Sequence, residues 1–270
     1  TASDVNKLRQ ATGAGMMDCK KALEESNGDF EKAVEILRKK GQKVAANRAD
    51  RESSEGVVLA KVSDDNTYGI IISLNCETDF VAKNEEYIQL AQSLASHALN
   101  YSDKDSFLNS EFEGMKVSDK LLEQTGVIGE KIEIGSFEYL ESEFVGSYVH
   151  AGSKIASIVG LSEKFDNADE VSKDISMQVA AMNPVALDEN GVSQEIIEKE
   201  IEIAKDQLRQ EGKPEEMLDN IAKGKLKKFF KENTLVNQQF IKDNKQSISD
   251  YLKSKSENAS VTGFARIGLV

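Results

Sequence analysis

The 270-residue sequence has no tryptophan and only two prolines, two cysteines and two histidines. Cys19 and Cys76 are too few and too far apart for a disulfide framework, so they read as reduced thiols used as small buried hydrophobes. With only His97 and His150 to join them, they cannot build a metal cluster. No apolar run exceeds about seven residues, which is too short to span a bilayer. The start, Thr1 to Lys7, is polar and lacks the apolar region of a signal peptide, so a cytoplasmic protein is expected. There is no GxxxxGK[ST], hence no phosphate loop of the chain's own. No catalytic constellation and no cofactor motif is visible. Collagen-like, disulfide-dense and disordered classes are excluded by 39% hydrophobic and 30% charged residues with 18 glycines.

What is present is acidity. Thirty-four basic residues face 47 acidic ones, a formal charge of −13. Nucleic-acid binding needs clustered cations along a phosphate-tracking surface, so this balance argues against direct contact with nucleic acid. The charge is uneven. Residues 1–51 carry eleven basic against eight acidic groups, leaving about −16 for the remainder. A weakly basic head on an acidic body implies a separate N-terminal module, although an ordinary solvated surface has the same signature.

Periodicity divides the chain. Val5 and Leu8 begin a first helix, which Thr12-Gly13-Ala14-Gly15 breaks. Met16, Cys19, Ala22 and Leu23 recur at helical spacing in a second. Asp29 is an N-cap for a third, with Phe30, Ala33, Val34 and Leu37 on one face and Gly41 closing it. Residues 1–41 thus form a three-helix module, and 42–55 a charged linker, helical at most at its start. From residue 56 the period changes. The runs 56–62 and 68–76 form a hairpin, followed by helices at 84–99 and 118–124 and a strand at 132–140. The pattern then repeats, with strands at 144–150 and 155–161 and a helix at 169–182 whose Val171, Ile175, Val179 and Met182 face inward. Two related sheet-plus-helix subdomains, 56–140 and 141–270, make the fold α+β. The second is interrupted at about 188–230. Ile197, Ile201, Ala204 and Leu208 line one helix, and Leu218, Ile221, Ala222 and Leu226 line its return. Gly212-Lys213-Pro214 is the turn, with Pro214 suited to the first helical position. So short a turn makes them antiparallel neighbours, forming an arm of about 25 Å that projects or lies flat on the body; the narrow apolar seam favours projection. A short helix at 249–255 and a strand at 261–269 close the pattern.

Two places could face a partner. Thr78-Asp79-Phe80-Val81 lies where a strand ends and a helix begins. Thr78 or Asp79 can simply cap the helix, and Phe80 can be a core anchor or a protruding wedge; the sequence leaves both open. His150 closes a strand ahead of Gly152, where its ring can face outward, whereas His97, beside Leu94 and Ala98, reads as packing.

The segment LRQATGAGMMDCKKAL at 8–23 closely resembles the N-terminal signature of the bacterial elongation factor Ts family, and NCETDFVAKN at 75–84 resembles its second signature. The segments 146–150, 212–214 and 261–264 are similar to further landmarks, in order along nearly the whole chain. Thr1 as first residue fits removal of an initiator Met. The resemblance implies a UBA-like N-terminal module, an inserted antiparallel coiled coil and a function, guanine-nucleotide exchange on the GTPase elongation factor Tu. It implies that Leu8, Arg9, Thr12, Gly13, Met16 and Lys20 form a docking motif. Thr78, Asp79, Phe80 and Val81 would bind the partner and disturb its magnesium site, and His150 would lie toward its nucleotide pocket. Family members often continue into a further helix where this sequence reaches Val270. The rival class is an adaptor whose head recognises a ubiquitin-like or peptide partner, or a ribosome-associated factor; binding to a nucleotide-free GTPase separates the two.

Overall fold

The computed structural model describes residues 1–269, so the expectation attached to Val270 lies outside the described residues. The head is three helices, α1 (Ala2–Thr12), α2 (Met16–Glu25) and α3 (Phe30–Asn47). Leu8, Cys19, Ala22, Leu23 and Ala33 form its buried centre, with Val5, Val34 and Leu37 packed around them. Two expectations fail here. Met16, which helical spacing groups with Cys19, Ala22 and Leu23 as one inward stripe, is on the surface, 61% exposed, and the buried stripe of α2 is the other three. Gly41 does not close the third helix, which continues to Asn47 through the start of the expected linker. The glycine serves close packing, not a left-handed cap. A Cβ on Gly126 would collide with the Cα of Gly41, so the two helices cross backbone to backbone.

The first half of the body begins with the hairpin β1 (Glu55–Val62) and β2 (Tyr68–Cys76). There follow α4 (Asp79–Ala82), α5 (Glu85–Ala98), α6 (Lys104–Asn109), the small ribbon β3 (Glu111–Phe112) and β4 (Met115–Lys116), α7 (Val117–Ile128) and β5 (Glu133–Glu141). The second half comprises β6 (Phe144–Val149), β7 (Ile155–Leu161), α8 (Ala168–Met182), α9 (Gln194–Gln210), α10 (Glu215–Asn233), β8 (Gln239–Phe240), β9 (Asp243–Ser247), α11 (Ile248–Lys255) and β10 (Val261–Gly268). Two three-stranded antiparallel sheets result, ordered β1-β2-β5 and β10-β7-β6. The α+β expectation holds.

The two sheets pack on each other, which the sequence reading did not foresee. Successive strand residues point to opposite faces. Ile70 and Ile72 therefore face α5 and α6, against Leu94, Ala95 and Phe107. Ile71 faces the other way, onto Val145, Ile158 and Ile267 of the second sheet. All three isoleucines are fully buried, each contributing about 1.5–3 kcal/mol. On the far side, Val171, Ile175 and Val179 of α8 cover the second sheet with Phe144, Val159 and Leu161. The expected inward Met182 is instead 47% exposed, in a cleft it shares with Lys228, Lys231 and Gln238 at the foot of α10.

The helices α9 and α10 are antiparallel neighbours. Ala204, Leu208, Leu218 and Ala222 make a narrow buried seam, and Lys205 reaches Asp219 at 2.5 Å across it. Pro214 occupies the N-cap of α10, one residue before the position expected, with an extended ψ of 139°.

Candidate partner-binding site

The corner after β2 is built around two carboxylates. Glu130 accepts from the backbone N–H of Glu77 at 3.1 Å, from the N–H of Thr78 at 3.0 Å and from the Thr78 hydroxyl at 2.7 Å. Glu77 in turn accepts from the backbone N–H of Lys131 at 2.7 Å, while Nη1 of Arg48 lies 2.8 and 2.7 Å from its two oxygens. Burial alone would raise the Glu77 pKa, but the Lys131 N–H and the Arg48 guanidinium together hold it below the ordinary range. Thr78 is the N-cap of α4, accepting from the N–H of Val81 at 3.4 Å. Val81 packs against the first core and Ala82 is buried beneath the turn. Between these anchors Phe80 has nowhere inward to go. It is 84% exposed, by far the most exposed of the large hydrophobic side chains. Of the two alternatives open for Phe80, protrusion is the one realised. Asp79 pairs with Lys83 at 2.6 Å, and that hydrogen bond holds its carboxyl below the usual range.

His150 lies just past β6 and is exposed. Its Nδ1 is 3.0 Å from the Tyr148 hydroxyl. The turn is closed by His150 N–H to Ile155 C=O (2.8 Å) and Ser153 N–H to His150 C=O (2.9 Å). The same turn is fastened to β1: Lys154 donates to Glu55 at 2.5 Å and to the Gly56 carbonyl at 3.1 Å, and Val58 N–H donates to the Ser153 carbonyl at 2.7 Å. Glu55 is paired with Cys76 in the sheet. The His150 turn and the Phe80 corner therefore share one edge, close enough for the Lys154 charge to act on Asp79.

The six expected docking residues of the head separate by role. Arg9, Met16 and Lys20 line an open groove of about 1010 Å³ between α1 and α2, with Val5, Met17 and Leu23. Met16 and Met17 are 61% and 63% exposed, giving the groove a polarizable apolar floor beside two cations. Leu8, Thr12 and Gly13 hold the scaffold instead. Leu8 is fully buried, the Thr12 hydroxyl donates to the Leu8 carbonyl at 2.7 Å, and Gly13 takes the left-handed C-cap of α1 at φ 66°.

Cys19 and Cys76 are buried, and burial pushes the Cys76 thiol up, away from the reactive thiolate. Burial among Tyr101, Phe107 and Phe112 lowers the pKa of His97, which packs as expected. Among the described residues no three His, Cys, Asp or Glu side chains converge as a metal site, and no helix is long and apolar enough to cross a membrane. Sequence reasoning did not single out Arg48, Glu130 or Lys154, and Met17 stood in the quoted head motif without a role. Glu77 stood within a quoted motif, but its carboxylate partner is 53 residues away, beyond any local pattern.

A family model described as Elongation factor TS matches residues 77–269. The chain is 65% identical over 269 residues to "Elongation factor Ts" of Christiangramia forsetii, covering all of this chain and 98% of the relative. It is 61% identical over 269 residues to the protein of that name from Flavobacterium psychrophilum and 47% identical over 272 residues to that of Porphyromonas gingivalis, with the same coverage. The likeness runs through the head as well as the body, so the Phe80 corner, the His150 turn and the groove all fall within it. The chain belongs to the elongation factor Ts family.

Proposed function

We propose that this chain is a guanine-nucleotide exchange factor that binds the GTPase elongation factor Tu and promotes GDP release during translation elongation in the cytoplasm. A GTPase holds GDP through its phosphate loop and a Mg²⁺ that bridges protein and phosphate oxygens. That ion is a concentrated positive charge that compensates the phosphates, so separating its ligands weakens nucleotide retention. The exchanger needs no chemistry of its own; it must bind the distorted or empty state better than the GDP state.

Thr78, Asp79, Phe80 and Val81 are the segment assigned to that distortion. The observation that carries the reading is a phenylalanine 84% exposed on a corner held by Glu77 and Glu130. Exposing so large an apolar side chain on a fixed support suits insertion between elements of a partner. In this reading His150, exposed on the same edge, faces the nucleotide pocket. The head, as a UBA-like module, docks through the Arg9, Met16 and Lys20 groove, supported by Leu8, Thr12 and Gly13. The subdomains at 56–140 and 141–270 carry the rigid edge, and α9–α10 form an inserted coiled-coil arm that reaches a further region of the GTPase.

The test is equilibrium binding of the full chain to elongation factor Tu that is nucleotide-free and, separately, saturated with Mg²⁺ and GDP. Strong preference for the empty form is expected. Equal affinity for both would remove the exchange function.

A further inference from the structure

We propose that Arg48, Glu77 and Glu130 form a positioning link between the head and the Phe80 corner, so that docking of the head fixes the direction in which Phe80 is presented. The proposal rests on the exchange reading above and adds to it the route by which two separated contact regions act together.

Two of the connections that leave the head reach the corner, one at Glu77 and one at both Glu77 and Thr78. The first runs along α3 to Arg48, its C-cap residue, whose guanidinium lies 2.7 and 2.8 Å from the Glu77 oxygens. The second crosses from α3 to α7 at Gly41 and Gly126, where the helix backbones touch. The helix α7 ends at Gly129, and Glu130 follows immediately. Its carboxylate takes three donors, all from Glu77 and Thr78. The Lys131 N–H returns to Glu77, so each of the two acids holds the other's chain segment.

A strand-to-helix corner needs only the Thr78 cap. The Glu130 carboxylate holds the Glu77 and Thr78 N–H groups ahead of Phe80, and the Glu77 carboxylate ties the same segment back to Lys131 and Arg48. They can transmit as well as hold. The Arg48 and Glu77 side chains are only 34% and 14% exposed, so solvent screens the pair weakly, and charge-assisted bonds of this geometry are directional. Packed helices and hydrogen bonds that form one contiguous chain can carry coupling between two sites. None of these three side chains has a chemical role of its own at the edge; they act through Phe80.

The experiment measures labelled-GDP release from elongation factor Tu against concentration of the full chain, giving a saturating rate and a half-saturation concentration. Arg48→Ala is expected to lower the saturating rate by about fivefold or more. Half-saturation should move by less than about twofold, because groove and wedge are both intact. Arg48→Lys should recover part of the rate, keeping the charge but not the rigid placement of Nη1 between the two Glu77 oxygens. Glu130→Gln should reproduce the loss from the other side, and melting curves of all three keep a folding failure apart from a lost link. In a Phe80→Ala background Arg48→Ala should cost nothing further, since the link acts only through the wedge. An unchanged saturating rate in folded Arg48→Ala, or the same loss with and without Phe80, would overturn the link. If the wild-type chain itself leaves GDP release unaccelerated, the exchange reading fails and takes the link with it.

Discussion

Phe80 could only be assigned by its surroundings. A phenylalanine beside Asp79 at a strand end is equally at home inside and outside; the decision comes from Val81 and Ala82, which fill the inward positions of the turn. Had Phe80 been buried, Phe80→Ala would cost about 3–5 kcal/mol. With 84% of the side chain exposed, stability should change by less than about 1 kcal/mol, measured as the shift in urea midpoint at constant slope. Glu77 supports a prediction in pH. Its folded-state pKa is lowered from the ordinary 4.5, so it binds fewer protons folded than unfolded. Its stabilisation is present above the unfolded pKa and is lost as pH falls through the folded one. Between about pH 5 and pH 3 the melting temperature of Glu77→Gln should fall less steeply than that of the wild type. Parallel curves would show that Glu77 is not held in its charged form.

Elements were legible wherever the period was long and clean. The hairpins β1–β2 and β6–β7 and the helices α5 and α8 lie within one or two residues of expectation, because each buries a full apolar stripe. The short α6 and the ribbon β3–β4 were not legible, since six- and two-residue elements complete no periodic pattern. Gly41 was misread because glycine marks both a helix stop and a close helix crossing, and only the distant Gly126 tells them apart. That crossing gives an element-scale test. Helix propensity alone predicts that Gly126→Ala stabilises α7 by about 0.5–1 kcal/mol. Overpacking against α3 predicts a loss of about 1–3 kcal/mol, and the collision with Gly41 makes loss the expected sign. A higher urea midpoint would show that α3 and α7 can separate freely. The arm offers a contrast. Its buried seam is confined to Ala204, Leu208, Leu218 and Ala222, so replacing α9–α10 by a short turn should leave a cooperatively folding body with weakened partner binding. Collapse of the melting transition in that deletion would make the arm part of the core.

At the scale of the whole molecule, two sheets packed face to face make a stiff block, and the candidate contacts lie on its edge and its appendages. The face-to-face packing escaped sequence reading because Ile71 alone gives the second face of β2 a large apolar side chain, beside Gly69, Ser73 and Asn75, so the pattern reads as a strand covered on one side. At the candidate site the motif did not separate surface from support: within the head it mixes residues that line the groove with buried ones that hold it. Stiffness is what an exchanger requires, since it must impose a shape on its partner. Binding of the chain and binding of GDP are then reciprocal, so GDP must weaken this chain's affinity for the GTPase by the factor by which the chain weakens that of GDP. Mg²⁺ strengthens GDP retention and should oppose the complex, read as a falling association constant when Mg²⁺ is titrated in the presence of GDP. The most direct test of the account is the rate of labelled-GDP release from elongation factor Tu at fixed Mg²⁺, with no addition, with this chain and with its Phe80→Ala variant, each paired with a melting curve. The account predicts strong acceleration by the chain and a large loss of that acceleration in a variant that melts like the wild type. Undiminished release with folded Phe80→Ala would contradict it.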